Sequence, residues 1–219
     1  MNAKDYKWLI PSGLASQSTE KNLWDKDHES YSENIFSLTR KKWKQADGET
    51  KLNSQIFFET VDSIQLTKEK PDWIEKFDYI LVVNSVVSGE DAINRQMLKE
   101  FYNVLKPRGK VYGFFPIIFD SLELAYLYSP KACWLTDGSM SLPESAYYDR
   151  ERNDRQIHYT PLRLNRIFKE AGFKRLSFEV YFTDSDILME SLKQLEGIDD
   201  PDICLWEFLV RLEKQCLVH

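Results

Sequence analysis

Hydrophobic and polar positions along the 219 residues switch repeatedly between two periods. Ser30 and Glu33 are spaced as a capping box, and Ile35, Leu38 and Trp43 follow at helical spacing towards a stop at Gly48. Gln55 to Thr60 carries Ile56, Phe57 and Phe58 and is expected to form a strand. Phe77 to Asn84 is the clearest strand of the chain. Its continuous apolar stretch, Ile80 to Val83, suits a parallel strand covered on both faces. Ser88 to Asp91 caps a helix whose buried stripe is Ile93, Met97, Phe101 and Leu105, four residues apart, with Pro107 and Gly109 ending it. Lys110 to Pro116 is the next strand.

The pattern then breaks. Residues 120–158 mix tyrosine, serine, proline and charge, and are too many for a simple connection, so a lid or an inserted helical piece is expected there. Periodicity returns at Thr160 and Pro161, an N-cap and a first-turn proline. Leu164, Ile167, Phe168 and Ala171 form the buried face of that helix, and Gly172 closes it. Leu176, Phe178, Val180 and Phe182 alternate with polar residues as on a half-buried strand. Asp184 to Leu195 reads as a helix and Ile203 to Leu212 as a last strand. Strands alternating with helices make an α/β layered domain.

Composition narrows the function classes. Hydrophobic residues make up 42% and charged residues 29%, as in an ordinary globular chain. A net charge of -6 argues against a nucleic-acid partner. The longest nearly apolar run, Val111 to Phe119, is far short of the roughly 20 residues of a membrane span. No apolar signal core follows Met1, so a cytoplasmic location is expected. Cys133, Cys204 and Cys216 are odd in number and lack ligand spacing, so neither a disulfide framework nor a metal site is expected.

The order of these segments is similar to the C-terminal half of class I S-adenosylmethionine-dependent methyltransferases. The resemblance lies in Phe77-Asp78 at the start of one strand, Leu105-Lys106-Pro107-Arg108-Gly109 before the next, and Ala171-Gly172-Phe173 before a third; it covers about residues 53–215. In the family the second of these motifs reads Leu-Lys-Pro-Gly-Gly, so Arg108 stands where the family has a glycine. The resemblance implies a Rossmann-like, mostly parallel seven-stranded sheet with an antiparallel last strand and helices on both faces. It implies one methyltransferase-like domain over residues 1–219, with the cofactor half in residues 1–52 and a lid over 120–158.

It also implies a cofactor, S-adenosylmethionine, and residues to hold it. Gly13, after Trp8 to Ile10, is the one glycine of the candidate cofactor loop; Ala15 and Ser16 are its small neighbours, and Pro11 removes a backbone donor. The family's Gly-x-Gly-x-Gly run is absent here. Asp25 or Asp27 stands for the acid that holds the ribose hydroxyls, about a dozen residues on. Asp62 falls where the family accepts from the adenine amino group, and its plainer reading is a turn cap. Asn84 and Ser85 follow the strand Phe77 to Asn84 at the carboxyl end, where such sheets bind ligands and where a transferred methyl group would lie. His158 is the candidate base for a protonated acceptor; a loop surface histidine is its plainer reading.

Two functions follow from the resemblance. One is methyl transfer to a small-molecule acceptor, with no nucleic acid or membrane involved and a homo-oligomer or partner subunit left open. Asn84-Ser85-Val86-Val87 lacks the prolines of the family's base-modifying members. The other is a non-catalytic methyltransferase-like domain that has lost its cofactor site and serves as a binding or scaffolding subunit.

Overall fold

The computed structural model describes residues 7–11, 59, 61–120, 122–123, 140–141, 146–149, 154–183, 200 and 204–215. The chain divides into two compact units, Met1–Ala15 with Asp62–His219, and Ser16–Val61. The elements below all belong to the first. Expected segments at Ser30 to Gly48, Gln55 to Thr60 and Asp184 to Leu195 lie outside the described residues, apart from Glu59.

Eight strands are described: β1 (Trp8–Leu9), β2 (Phe77–Val83), β3 (Leu105–Pro116), β4 (Met140–Ser141), β5 (Ala146–Asp149), β6 (Asp154–Ile157), β7 (Phe173–Thr183) and β8 (Leu205–Lys214). The α-helices described in full are α1 (Leu66–Glu69), α2 (Asp91–Val104) and α3 (Pro161–Glu170). The main sheet has five strands in the order β1-β2-β3-β8-β7. β1, β2 and β3 are parallel, and β8 enters antiparallel between β3 and β7. Parallel strands joined through α2 form the expected crossover unit. The described part of residues 120–158 includes β4, β5 and β6, a separate antiparallel sheet.

The core follows from the period of each element. Ile80 and Val82 of β2 and Val111 and Phe115 of β3 are buried. α2 contributes Met97, Leu98, Phe101 and Val104, and α3 contributes Leu164, Ile167 and Phe168. The Phe115 ring meets Phe168 edge-on at 5.2 Å, which fixes α3 against β3. Residues of opposite parity, Tyr79 and Tyr112, turn to the other face, where Trp8 stacks on Tyr79 at 4.5 Å.

The ends of the helices show which local signals acted. Thr160 Oγ accepts from the Arg163 N–H at 3.3 Å and Pro161 opens α3, as the sequence predicts. Gly172 has φ 94°, a conformation glycine tolerates, and any Cβ there would press on the Tyr102 ring. α2 ends earlier than its apolar stripe predicts. Leu105 is already extended and pairs with Phe77, so β3 begins there rather than at Lys110. The register shift between Phe77 and Tyr79 absorbs the turn at Pro107 and Arg108. Arg108 adopts φ 63°, the conformation for which the family's glycine is suited.

Candidate active site at the carboxyl edge of the sheet

β2 ends at Val83, and Asn84 turns the chain with φ 45°. Asparagine is among the few side chains that accept this conformation. Its N–H donates to the Phe114 carbonyl at 3.1 Å, and its Nδ2 donates across to Glu207 Oε1 on β8. Ser85 follows, 6% exposed, with a hydroxyl that has no hydrogen-bond partner.

The rest of this loop is fixed from several sides. The Tyr159 hydroxyl donates to the Val86 carbonyl at 2.7 Å, and the Ile157 N–H donates to Val87 at 3.0 Å. Buried Asn94 of α2 grips Ser88 twice: Oδ1 accepts from its N–H at 2.9 Å, and Nδ2 donates to its carbonyl at 2.7 Å. Gly89 lies against the Arg155 backbone, where an added Cβ would come within 2.3 Å of the carbonyl oxygen. Asp91 opens α2 and receives Arg163 at 2.9 Å and Arg95 at 2.5 Å. Burial opposes ionisation of Asp91, but the two arginines outweigh it and hold its carboxyl below the usual range.

β3 reaches the same edge one strand over. Past Pro116, the Tyr159 N–H donates to the Pro116 carbonyl at 2.8 Å, and the Ile118 N–H donates back to Tyr159 at 3.2 Å. Asp120 Oδ1 accepts the Trp206 N–H at 3.1 Å. Burial pushes Asp120 up to about 7; the Trp206 N–H pulls it down, and neighbouring Glu123 and Glu207 add to the rise. Asn84, Asp120 and Glu207 therefore come from the ends of β2 and β3 and the start of β8.

His158 sits in this stretch, between Ile157 and Tyr159, whose backbones are tied to Val87, Pro116 and Ile118. Burial lowers it to about 4, so the ring is neutral at neutral pH. The structure thus gives His158 the charge state of a base but a weak proton affinity.

Asp62 lies in the turn before α1. Its Oδ1 accepts the Ile64 N–H and its Oδ2 the Gln65 amide, both at 3.0 Å, which is the geometry of a turn cap. The Glu100 carboxylate ties α1 to α2 by accepting the Thr67 N–H at 2.7 Å and hydroxyl at 2.8 Å. Gly13 and Asp25 lie outside the described residues.

Comparison with known proteins bears on the fold. No protein-family model matches the sequence, and no curated protein matches it. Solved structures do. A protein from Pyrococcus horikoshii superimposes with a TM-score of 0.55 at 18% identity, over 97% of this chain and 83% of that one. A protein of echinomycin biosynthesis, described for conversion of a disulfide bond into a thioacetal group, gives 0.52 at 17%, over 82% of this chain and 61% of that one. A methyltransferase from Methanosarcina mazei that depends on S-adenosylmethionine gives 0.47 at 17%, over 65% of this chain and 61% of that one. This chain thus spans less than two thirds of the last two. The fold is class I methyltransferase-like.

Two polar groups of the described residues keep unused hydrogen-bonding capacity. Ser85 offers a buried hydroxyl with its hydrogen bonding unfilled. Each Asp62 oxygen has accepted one bond of the two it can take. Asp120 and Glu207 were not anticipated from the sequence. Their signal is topological: an acid just past the end of a parallel strand, and another on the strand inserted beside it. Among the described residues, no three acid, histidine or cysteine side chains are arranged to hold a metal ion, and no helix is long and apolar enough to cross a membrane.

Proposed function

We propose that the chain is an S-adenosylmethionine-dependent methyltransferase acting on a small-molecule acceptor. The observation that carries this reading is the loop Asn84 to Gly89 at the carboxyl edge. It is held by hydrogen bonds at Asn84, Val86, Val87 and Ser88 and retains one buried, unpartnered hydroxyl at Ser85. A loop fixed in this way meets a ligand without an ordering cost.

In this reading Asp62, Asn84 and Ser85 hold the cofactor, with Gly13 and Asp25 in the cofactor half at residues 1–52, and residues 120–158 cover the acceptor. A seven-stranded sheet, a single domain over residues 1–219 and a cytoplasmic location belong to the same proposal. The bound cofactor supplies an electrophilic methyl group. The protein's part is to align the acceptor and exclude water, with a proton acceptor where the acceptor is protonated.

One observation favours the non-catalytic alternative: both Asp62 oxygens are already engaged within their own turn. Titration calorimetry of the purified chain with S-adenosylmethionine and S-adenosylhomocysteine separates the two. Micromolar binding to both, weakened by Asp62→Ala and Ser85→Ala, is the expected result. No heat at millimolar ligand with a folded protein sinks the enzyme reading and leaves the scaffold.

A further inference from the structure

The outermost strand of a sheet carries a row of unpaired N–H and C=O groups, and proteins commonly blunt it with proline, charge or a cover. β7 ends the main sheet, with β8 as its one neighbour among the described strands. It runs for 11 residues and contains no proline. Its basic residues, Lys174 and Arg175, precede the register shift at Leu176. Past that shift, Ser177 to Thr183 holds a single charge, Glu179. Large apolar side chains are exposed instead: Leu176 by 42%, Val180 by 42%, Tyr181 by 47% and Phe182 by 60%. They are four of the ten such side chains exposed among the described residues, all within seven positions, so they form a patch rather than a scatter.

Pairing with β8 assigns each residue to a face. Phe178, Val180 and Phe182 stand opposite Val210, Phe208 and Trp206, on the face where Val210 and Phe208 are buried. Ser177, Glu179, Tyr181 and Thr183 share the other face, where Tyr181 meets Phe114 edge-on at 5.4 Å. A new antiparallel neighbour must bring like faces together. A second copy of β7 does so with the two-fold axis at Val180. Val180 then faces itself, Phe178 faces Phe182, Glu179 faces Tyr181, and Ser177 faces Thr183. Aromatic meets aromatic, hydroxyl meets hydroxyl, and no like charges oppose. Moving the axis to Glu179 sets two carboxylates against each other, and moving it to Tyr181 shortens the pairing to Glu179 through Thr183.

We propose that the protein is a two-fold dimer in which the β7 strands of two copies pair antiparallel about Val180 and join the two main sheets into one. This holds whether or not the chain transfers methyl groups. At roughly 100 Å² each, the four exposed side chains offer about 400 Å² of apolar surface. With the edge backbone, the contact reaches about 600 Å² per protomer, the low end for specific interfaces. Such a contact suits a dissociation constant in the micromolar range. The interface uses the same patch on both copies, so it closes at two and leaves neither β7 edge open.

Sedimentation equilibrium of the full chain, from about 1 to 200 µM at physiological ionic strength, tests the proposal. The expected result is a monomer–dimer equilibrium. Val180→Lys sets two ammonium groups face to face, and Phe182→Asp removes both aromatic pairs; each should weaken the dimer at least tenfold. Both side chains are exposed, so the monomer should keep its near-ultraviolet circular dichroism. The register has its own test, which does not depend on either variant folding. Facing residues of paired strands have Cα atoms about 4.5–5.5 Å apart, within disulfide reach. Val180→Cys should therefore form an intermolecular disulfide on mild oxidation, and Tyr181→Cys, whose own copy lies two positions further along, should not. Wild type, with Cys133, Cys204 and Cys216, is the control, and mass spectrometry of the linked peptides locates the bond. A wild-type chain that stays monomeric throughout the range overturns the proposal and leaves the edge to a different chain. A dimer that both charged variants leave intact, or one in which Val180→Cys does not cross-link, places the contact elsewhere and overturns it equally.

Discussion

Replacing Asp120 by asparagine should make this protein more stable above neutral pH. An ordinary aspartate ionises near 3.8, whereas Asp120 does so at about 7. Between those values the folded chain keeps a proton that the unfolded chain has released. Folded protein binds more protons, so this group's contribution to stability is full below pH 4 and is lost as pH rises through 7. Each pH step in that window is worth ~1.4 kcal/mol, giving a gap of ~4 kcal/mol at pH 8; residual solvent contact trims it to ~2–4 kcal/mol. Asparagine keeps the oxygen that accepts the Trp206 N–H and never ionises. Urea unfolding of wild type and Asp120→Asn at pH 4, 6 and 8 measures the difference directly. The two should be nearly equal at the lowest pH, with the variant ahead by ~2–4 kcal/mol at the highest. A variant less stable than wild type at pH 8, or a difference that does not change with pH, would refute the reasoning.

Further outcomes follow from the same edge. His158, lowered to about 4, costs stability as pH falls from 6.5 towards 4, because only the unfolded chain then takes up the proton; His158→Gln should remove ~2–3 kcal/mol of that slope in acid unfolding curves. Asn94→Ala leaves both backbone groups of Ser88 without their partner and should cost ~2–3 kcal/mol by urea unfolding, while Lys99→Ala on the exposed side of the same helix should be neutral. Gly89→Ala sets a methyl group 2.3 Å from the Arg155 carbonyl oxygen and should lower stability by more than ~2 kcal/mol, seen as a fall in Tm. Arg108→Gly relieves φ 63° and should raise stability by up to ~1 kcal/mol.

Much of the framework was legible from short-range signals. The apolar run Ile80 to Val83, the Thr160-Pro161 start and the Gly172 stop each act within a few residues, and the structure shows all three elements. The start of β3 is hidden in the sequence because Leu105 continues the helical stripe of Met97 and Phe101, while its backbone is taken by pairing with Phe77 on a different strand. The sequence predicts Ser88 as a helix cap. Its hydroxyl does accept a backbone N–H, from Glu90 at 3.2 Å, but the larger effect comes from Asn94, which the sequence gives no reason to connect with it. The charge pattern of the site was hidden for the same reason. Asp120 and Glu207 are 87 positions apart and meet only because β8 runs antiparallel beside β3, placing Glu207 opposite Pro116. Local spacing reports helices and caps; it does not report which strand is laid against which.

That insertion also orders events as the chain is made. Among the described strands, β7 has a single neighbour in the main sheet, β8, which follows it in the chain. Until residues 205–214 have left the ribosome, β7 has none of the described strands of its sheet to pair with, and β3 keeps an open edge facing the gap. Open edges of this kind invite pairing with other chains. Glu207 arrives on that late strand, so the carboxyl edge gains its tether to Asn84 only when the sheet closes. A nascent chain stalled before β8 would therefore be both adhesive and without its completed site, and completion of the sheet would remove both conditions in one step.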